Sequence, residues 1–172
     1  ASPLDCQLLA ASLLRSRIQV AGWATKSADV RSVIARCKPD IAVVGVRLED
    51  GQRAGLDALH QLKDFVAESP VVMLLDADDP AVVIEAFRNG ASGVFTREQM
   101  SSGLAKCLRC VMAGQLWASN KQMGYLVHRL RQHLANTVLG AKSTEVLTRR
   151  ERQVGKLVAR GLTNRDIAEE LG

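Results

Sequence analysis

The chain has 172 residues, 47% of them hydrophobic and 24% charged, enough for one full core plus a second small domain. No stretch approaches the ~18 consecutive apolar residues of a membrane-spanning helix, and Ala1-Ser2-Pro3-Leu4 carries no basic segment leading into an apolar signal core. A soluble, cytoplasmic protein with no membrane partner is therefore expected. The net charge of +5 is uneven: residues 1–120 hold thirteen Lys/Arg and thirteen Asp/Glu, residues 121–172 ten and five, so a basic module suited to a polyanion follows a neutral one.

Leu4 to Arg15 is predicted as a helix, with Leu4, Leu8, Leu9 and Leu13 apolar. Ile18-Gln19-Val20-Ala21-Gly22-Trp23 is predicted as a strand, and Ser27 as the cap of a helix ending at Cys37. After Pro39-Asp40, the nearly continuous apolar run Ile41 to Val46 fits a strand buried on both faces, and a helix follows from Gly55 to Ala67. Pro70 opens the strand Val71–Leu75. The acidic residues Asp76, Asp78 and Asp79 then lead into a helix at Pro80, which Asn89-Gly90 closes with a left-handed cap. Ser92 to Phe95 makes a short strand and Ser101 to Ala113 a helix. One helix followed by four strand–helix pairs is the pattern of an α/β, flavodoxin-like doubly wound parallel sheet. In the order 2-1-3-4-5 the first strand is missing from this sequence, and a strand upstream of Ala1 is expected in the native protein.

Three parts are expected: an α/β doubly wound domain over 1–116, a linker helix and join over 117–146, and an all-α piece over 147–172. In the linker, Met123, Leu126, Val127, Leu130 and Leu134 recur at helical spacing. That stripe suits either a dimer contact or packing back on the first domain. In the last part, Thr148 with Glu151 and Thr163 with Asp166 form two capping boxes ahead of short apolar helices. Cys107 and Cys110 share one helix face, where small core residues sit, and the further ligands of a zinc site are not evident nearby. With Cys6 and Cys37 they are expected as reduced thiols. His60, His128 and His133 fall within predicted helices and have no nucleophile to serve. No enzyme activity, cofactor or metal is expected.

Two passages resemble a known family. Pro39-Asp40-Ile41-Ala42-Val43-Val44 and Glu85-Ala86-Phe87-Arg88-Asn89-Gly90-Ala91-Ser92-Gly93 resemble the third strand and the fourth helix-to-strand turn of a receiver domain. Leu147-Thr148-Arg149-Arg150-Glu151-Arg152-Gln153-Val154, with Gly161-Leu162-Thr163-Asn164-Arg165-Asp166-Ile167-Ala168, resembles the first half of a LuxR-type helix-turn-helix. The whole is similar to a two-component response regulator of the NarL/FixJ family, with a truncated DNA-binding half.

That resemblance implies a phosphorylation site, and it also shows where this sequence departs from one. A working receiver needs a nucleophilic carboxylate, carboxylates for Mg²⁺, a hydroxyl, a lysine and a reporting aromatic ring. Here the phosphoacceptor position is Gly45, the second acid of the metal pair is Ala1, the hydroxyl is Leu75, the aromatic is Val94 and the lysine is Arg97. The resemblance thus implies a receiver that works without phosphorylation, in dimerisation or in sensing another signal. Asp76, Asp78 and Asp79 are expected to serve only the helix dipole and cap. Thr163, Asn164 and Arg165, at a helix N-terminus, are the expected DNA-backbone contacts. The implied partners are DNA, a second copy of the chain and another regulatory protein. The alternative is an interaction adaptor, built on the same degenerate receiver, that never touches DNA.

Overall fold

The computed structural model describes residues 2–62, 69–97 and 103–139, with side chains as far as residue 134. The chain divides into two compact units, one ending at Tyr125 and the other beginning at Leu126. Helix α1 spans Pro3–Arg15 and starts with a reciprocal capping box between Ser2 and Asp5, with Pro3 at the first helical position. Helix α2 spans Ser27–Cys37 and strand β1 Ala42–Gly45; helix α3 is Ala54–Gln61 and strand β2 Val71–Leu75. Helix α4, Pro80–Arg88, leads to strand β3, Gly93–Thr96, helix α5, Leu104–Met112, and helix α6, Asn120–Leu139.

The three strands pair in parallel in the order β1-β2-β3, with Gly45 opposite Leu74, Leu74 opposite Phe95 and Leu75 opposite Thr96. This is the 3-4-5 stretch of the expected sheet. Parallel neighbours need crossovers, and α3 and α4 supply them. Central β2 is buried at every position, which is why its sequence reads as unbroken Val, Met and Leu. On one face Val72, Leu74 and Phe95 pack with Leu13 of α1 and Leu104, Cys107, Leu108 and Val111 of α5. On the other, Val30 of α2 meets Leu48, Ala54, Ala58 and Leu62.

The predicted strand Ile18–Trp23 is not a strand, which leaves three strands among the described residues rather than four. A strand exists only through ladder bonds to a neighbour, and this segment lies against α2 instead. Cys37 Sγ donates to the Ala21 carbonyl at 3.3 Å, and a Cβ on Gly22 would fall 2.8 Å from that sulfur. Ser27 is also not the cap of α2. It is the first helical residue, and the capping acceptor comes from far along the chain: Asp50 Oδ2 receives the Ser27 N–H at 2.9 Å and also its hydroxyl. The helix predicted to reach Ala67 is seen as Ala54–Gln61, and the strand predicted from Ser92 as Gly93–Thr96. Residues 63–68, 98–102 and 140–172 lie outside the described set, so the predicted continuation of the first of these helices to Ala67, the predicted start of α5 at Ser101 and the whole C-terminal motif do too.

Candidate functional site

In an open parallel sheet, side chains from different loops meet at the carboxyl ends of the strands. Gly45 is the last residue of β1 and Leu75 of β2, while Arg97 directly follows β3. Because Leu75 pairs with Thr96, the next residues of the two strands, Asp76 and Arg97, emerge side by side. Arg97 Nε donates to Asp76 Oδ1 at 2.7 Å, and Arg47 Nε stands 3.4 Å from Asp76 Oδ2. Nη2 of Arg97 lies 3.7 Å from the point a Cβ on Gly45 would occupy. The guanidinium therefore stands over the bare backbone at the end of β1. Arg97 also bears on Asp5, whose carboxyl is held below its usual range by the Ser2 backbone hydrogen bond first and the Ser2 hydroxyl next, with Arg97's charge a smaller contribution.

The side chains of Arg47, Asp76 and Arg97 are 54%, 36% and 31% exposed. Pairs so open to water contribute at most about 1 kcal/mol each, so their effect is to fix positions more than to hold the fold. Leu75 and Val94 are fully buried in the sheet, and the Val94 N–H donates to the Trp117 carbonyl at 2.8 Å. Gly45 and Arg97 thus meet, Leu75 ends the adjacent strand, and Val94 faces the core. Ala1, Thr163, Asn164 and Arg165 lie outside the described residues.

The residues present do not fit Mg²⁺. Asp76, the carboxylate at this edge of the sheet, is engaged by two guanidinium groups, and no cluster of three or more His, Cys, Asp or Glu among the described residues could hold a metal. Gly45 supplies no nucleophile. Its bareness is not demanded by packing, because a Cβ there would meet only ordinary contacts, at 3.4 and 3.7 Å, and no positive φ is involved. Gly45→Asp is accordingly expected to fold with a stability change within about 1 kcal/mol, the new carboxylate competing with Asp76 for Arg97. Chemical denaturation checks this, and a loss of several kcal/mol would contradict it.

The expectation that all three loop aspartates serve only the helix dipole and cap holds for Asp79, whose Oδ1 accepts from the Ala81 N–H at 2.8 Å to cap α4. It fails for the other two. Asp76 pairs with Arg97 and Arg47, and Asp78 receives Lys121 Nζ at 3.0 Å, Gln122 Nε2 at 3.1 Å and Tyr125 Oη at 3.5 Å from the base of α6. Burial alone would raise the Asp78 carboxyl, but the bonds from Lys121, Gln122 and Tyr125 outweigh it and leave the group below its ordinary value. Lys121 is raised, mainly by its bond to Asp78. A lowered carboxylate stabilises above its unfolded value and loses that contribution as pH falls through the folded one. A raised lysine keeps its contribution until strongly alkaline pH. The tie is thus expected to stay intact from about pH 5 to 9 and to weaken below about pH 4. The Gln122 side-chain amide resonance followed by NMR reports it, and a transition near neutrality would contradict the assignment.

Sequence reading missed one further feature. Trp117 forms a bridge beside β3, its N–H donating to the Ser92 carbonyl at 3.1 Å, and so fastens the segment before α6 to the sheet. Burial pushes the Cys107 thiol up to about 12, so it stays protonated and serves the core. All four cysteines are free thiols, and His60, His128 and His133 are exposed.

Residues 145–172 match the model of the family described as bacterial regulatory proteins, luxR family. The oxygen regulatory protein NreC of Staphylococcus haemolyticus is 24% identical over 155 residues, 90% of this chain and 71% of that protein; NreC of Staphylococcus aureus is 27% identical over 158 residues, with the same coverage. Among solved structures, a two-component response regulator of the LuxR family from an Aurantimonas species superposes with a TM-score of 0.64 at 18% identity, over 74% of this chain and 91% of that one. The RcsB response regulator of Salmonella typhimurium gives 0.62 at 16% identity, over 99% and 78%. No helix among the described residues is long and apolar enough to cross a membrane. With a receiver-like parallel sheet among the described residues and a luxR-family match over residues 145–172, the chain is similar to response regulators of the NarL/FixJ type.

Proposed function

We propose that this chain is part of a DNA-binding transcription regulator whose receiver-like unit works without phosphorylation. The observation that carries the reading is the end of β1, where Gly45 offers no acceptor atom and Arg97, tied to Asp76, covers the backbone. With Leu75 in place of a hydroxyl, Val94 in place of an aromatic ring and Ala1 in place of a metal-binding acid, the groups for making and sensing an acyl phosphate are missing together. The luxR-family match over residues 145–172 supports DNA binding, with Thr163, Asn164 and Arg165 as backbone contacts, as does the +5 charge carried by residues 121–172. RcsB has been solved as dimers bound to DNA, and paired helix-turn-helix units match paired half-sites. A homodimer follows for this chain as well. Its contact surfaces would be the exposed Met123, Val127, Leu130 and Leu134 of α6 or the exposed Leu4 and Leu8 of α1.

The test is DNA binding by the full-length protein in a salt titration, with and without a small-molecule phosphodonor. Affinity that falls steeply with salt and ignores the phosphodonor is expected. Affinity that rises with phosphodonor, or no salt-dependent binding at all, contradicts the reading.

A further inference from the structure

Residues 76–79 touch three different parts of the molecule within four positions. Asp76 binds Arg97 and Arg47 at the end of the sheet, Asp78 binds the base of α6, and Asp79 caps α4. The Asp79 N–H also donates to the Ala77 carbonyl at 3.0 Å, closing the run into a tight turn. Two residues span at most about 7 Å even when extended, so Asp76 and Asp78 have little slack between them.

The far end of this run is well built. Gln122 is only 3% exposed, and both ends of its amide are used: Oε1 accepts the Ser119 N–H at 2.8 Å and Nε2 donates to Asp78 Oδ1 at 3.1 Å. Ser119 Oγ in turn accepts the Gln122 N–H at 3.2 Å, which makes this a capping box at the start of α6. If Asp78 shifts, the buried Nε2 loses its acceptor, and an unmet buried donor is costly. The first turns of α6 therefore depend on where Asp78 stands. Asp78 stands where the turn places it, and the turn is pinned at its other end by Arg97 and Arg47.

We propose that residues 76–79 couple the ion pair over Gly45 to the base of α6, so that Asp76, whose ion pairs among the described residues are to Arg97 and Arg47 rather than to that helix, governs how firmly its first turns are held. The coupling goes beyond the DNA-binding reading and stands or falls without it. Arg97 and Arg47 form the input, the 76–79 turn the transmitter and the Asp78–Gln122 bond the output.

Hydrogen exchange measured by mass spectrometry on the full-length protein tests this, read on the peptide covering residues 118–126. Asp78→Ala is expected to speed exchange there about tenfold, and Asp76→Ala about threefold or more, with residues 104–112 of α5 unchanged in both. Arg53→Gln, which removes the ion pair to Glu85 between α3 and α4, is expected to leave residues 118–126 at the wild-type rate. The proposal is overturned if Asp76→Ala leaves residues 118–126 unaffected, if it speeds α5 equally, which means general loosening, or if Asp78→Ala has no effect. Salt-dependent DNA binding is read separately, so failure of one leaves the other standing.

Discussion

Alanine at Gly55 is expected to destabilise the protein by about 3 kcal/mol or more, a large share of the stability of a domain this size. Gly55 lies in the first turn of α3 with its N–H donating to the Val46 carbonyl at 2.9 Å. A Cβ on it would fall 1.8 Å from the Gly45 carbonyl oxygen, 2.8 Å from the Gly45 carbonyl carbon and 3.0 Å from the Val46 oxygen. All three are backbone atoms, so no rotamer change can relieve the clash, and either α3 must lift or the end of β1 must bend. Both movements would open the packing of Ala54 and Ala58 against Val30. Gly124 makes the contrast: a Cβ there meets nothing within 4 Å, and Gly124→Ala, inside a helix, is expected to stabilise by roughly 0.5–1 kcal/mol. Chemical denaturation of the two variants beside wild type checks both signs. A Gly55→Ala protein within 1 kcal/mol of wild type would show that α3 does not press on β1 as described.

Phe95→Ala is expected to cost about 3–5 kcal/mol. Phe95 sits in β3 at 2% exposure, paired with Leu74 and packed in the cluster that joins α1 and α5 to the sheet. Truncation would leave a void within the cluster that holds Leu13 of α1 and Leu108 and Val111 of α5, two helices that cannot close in together. Leu14→Ala, at a residue 63% exposed, is expected to change stability by no more than about 0.5 kcal/mol. Urea unfolding with an unchanged m-value and a lowered midpoint is the predicted signature. A loss below about 1.5 kcal/mol for Phe95→Ala would mean the cluster repacks freely.

Where structure is set by nearest neighbours along the chain, the sequence is a sufficient guide. Strand Val71–Leu75, the start of α4 at Pro80 and the left-handed turn at Gly90 all match expectation, because continuous apolar runs, a proline at the first helical position and an Asn-Gly pair act locally. What escaped reading is long-range. Asp50 replaces Ser27 as the cap of α2 from 23 positions away, Asp76 finds Arg97 at a separation of 21, and Asp78 finds Gln122 at 44. A period in the sequence cannot report a bond whose partner is chosen by the fold. The failed strand at Ile18–Trp23 has the same origin: its alternating residues have strand character, but the neighbour that would make it a strand is a matter of sheet order.

The candidate site divides along that line. Gly45, Leu75, Val94 and Arg97 could be singled out because resemblance numbers each position, whereas the meeting of Arg97 with Asp76 required the parallel register of β2 and β3. One clue was present beforehand. Residues one step past the ends of adjacent parallel strands emerge together, so correct strand ends at Leu75 and Thr96 would have placed Asp76 beside Arg97. The expected end at Phe95 was one residue short, and that single step hid the pair.

The most direct test of the account is incubation of the full-length protein with acetyl phosphate and Mg²⁺, followed by intact-mass measurement and peptide mapping. With glycine at position 45, the mass is predicted to remain that of the untreated protein. A stoichiometric phosphoryl adduct, stable in acid and labile in base and mapping to the strand ends around Gly45, Asp76 and Arg97, would contradict it.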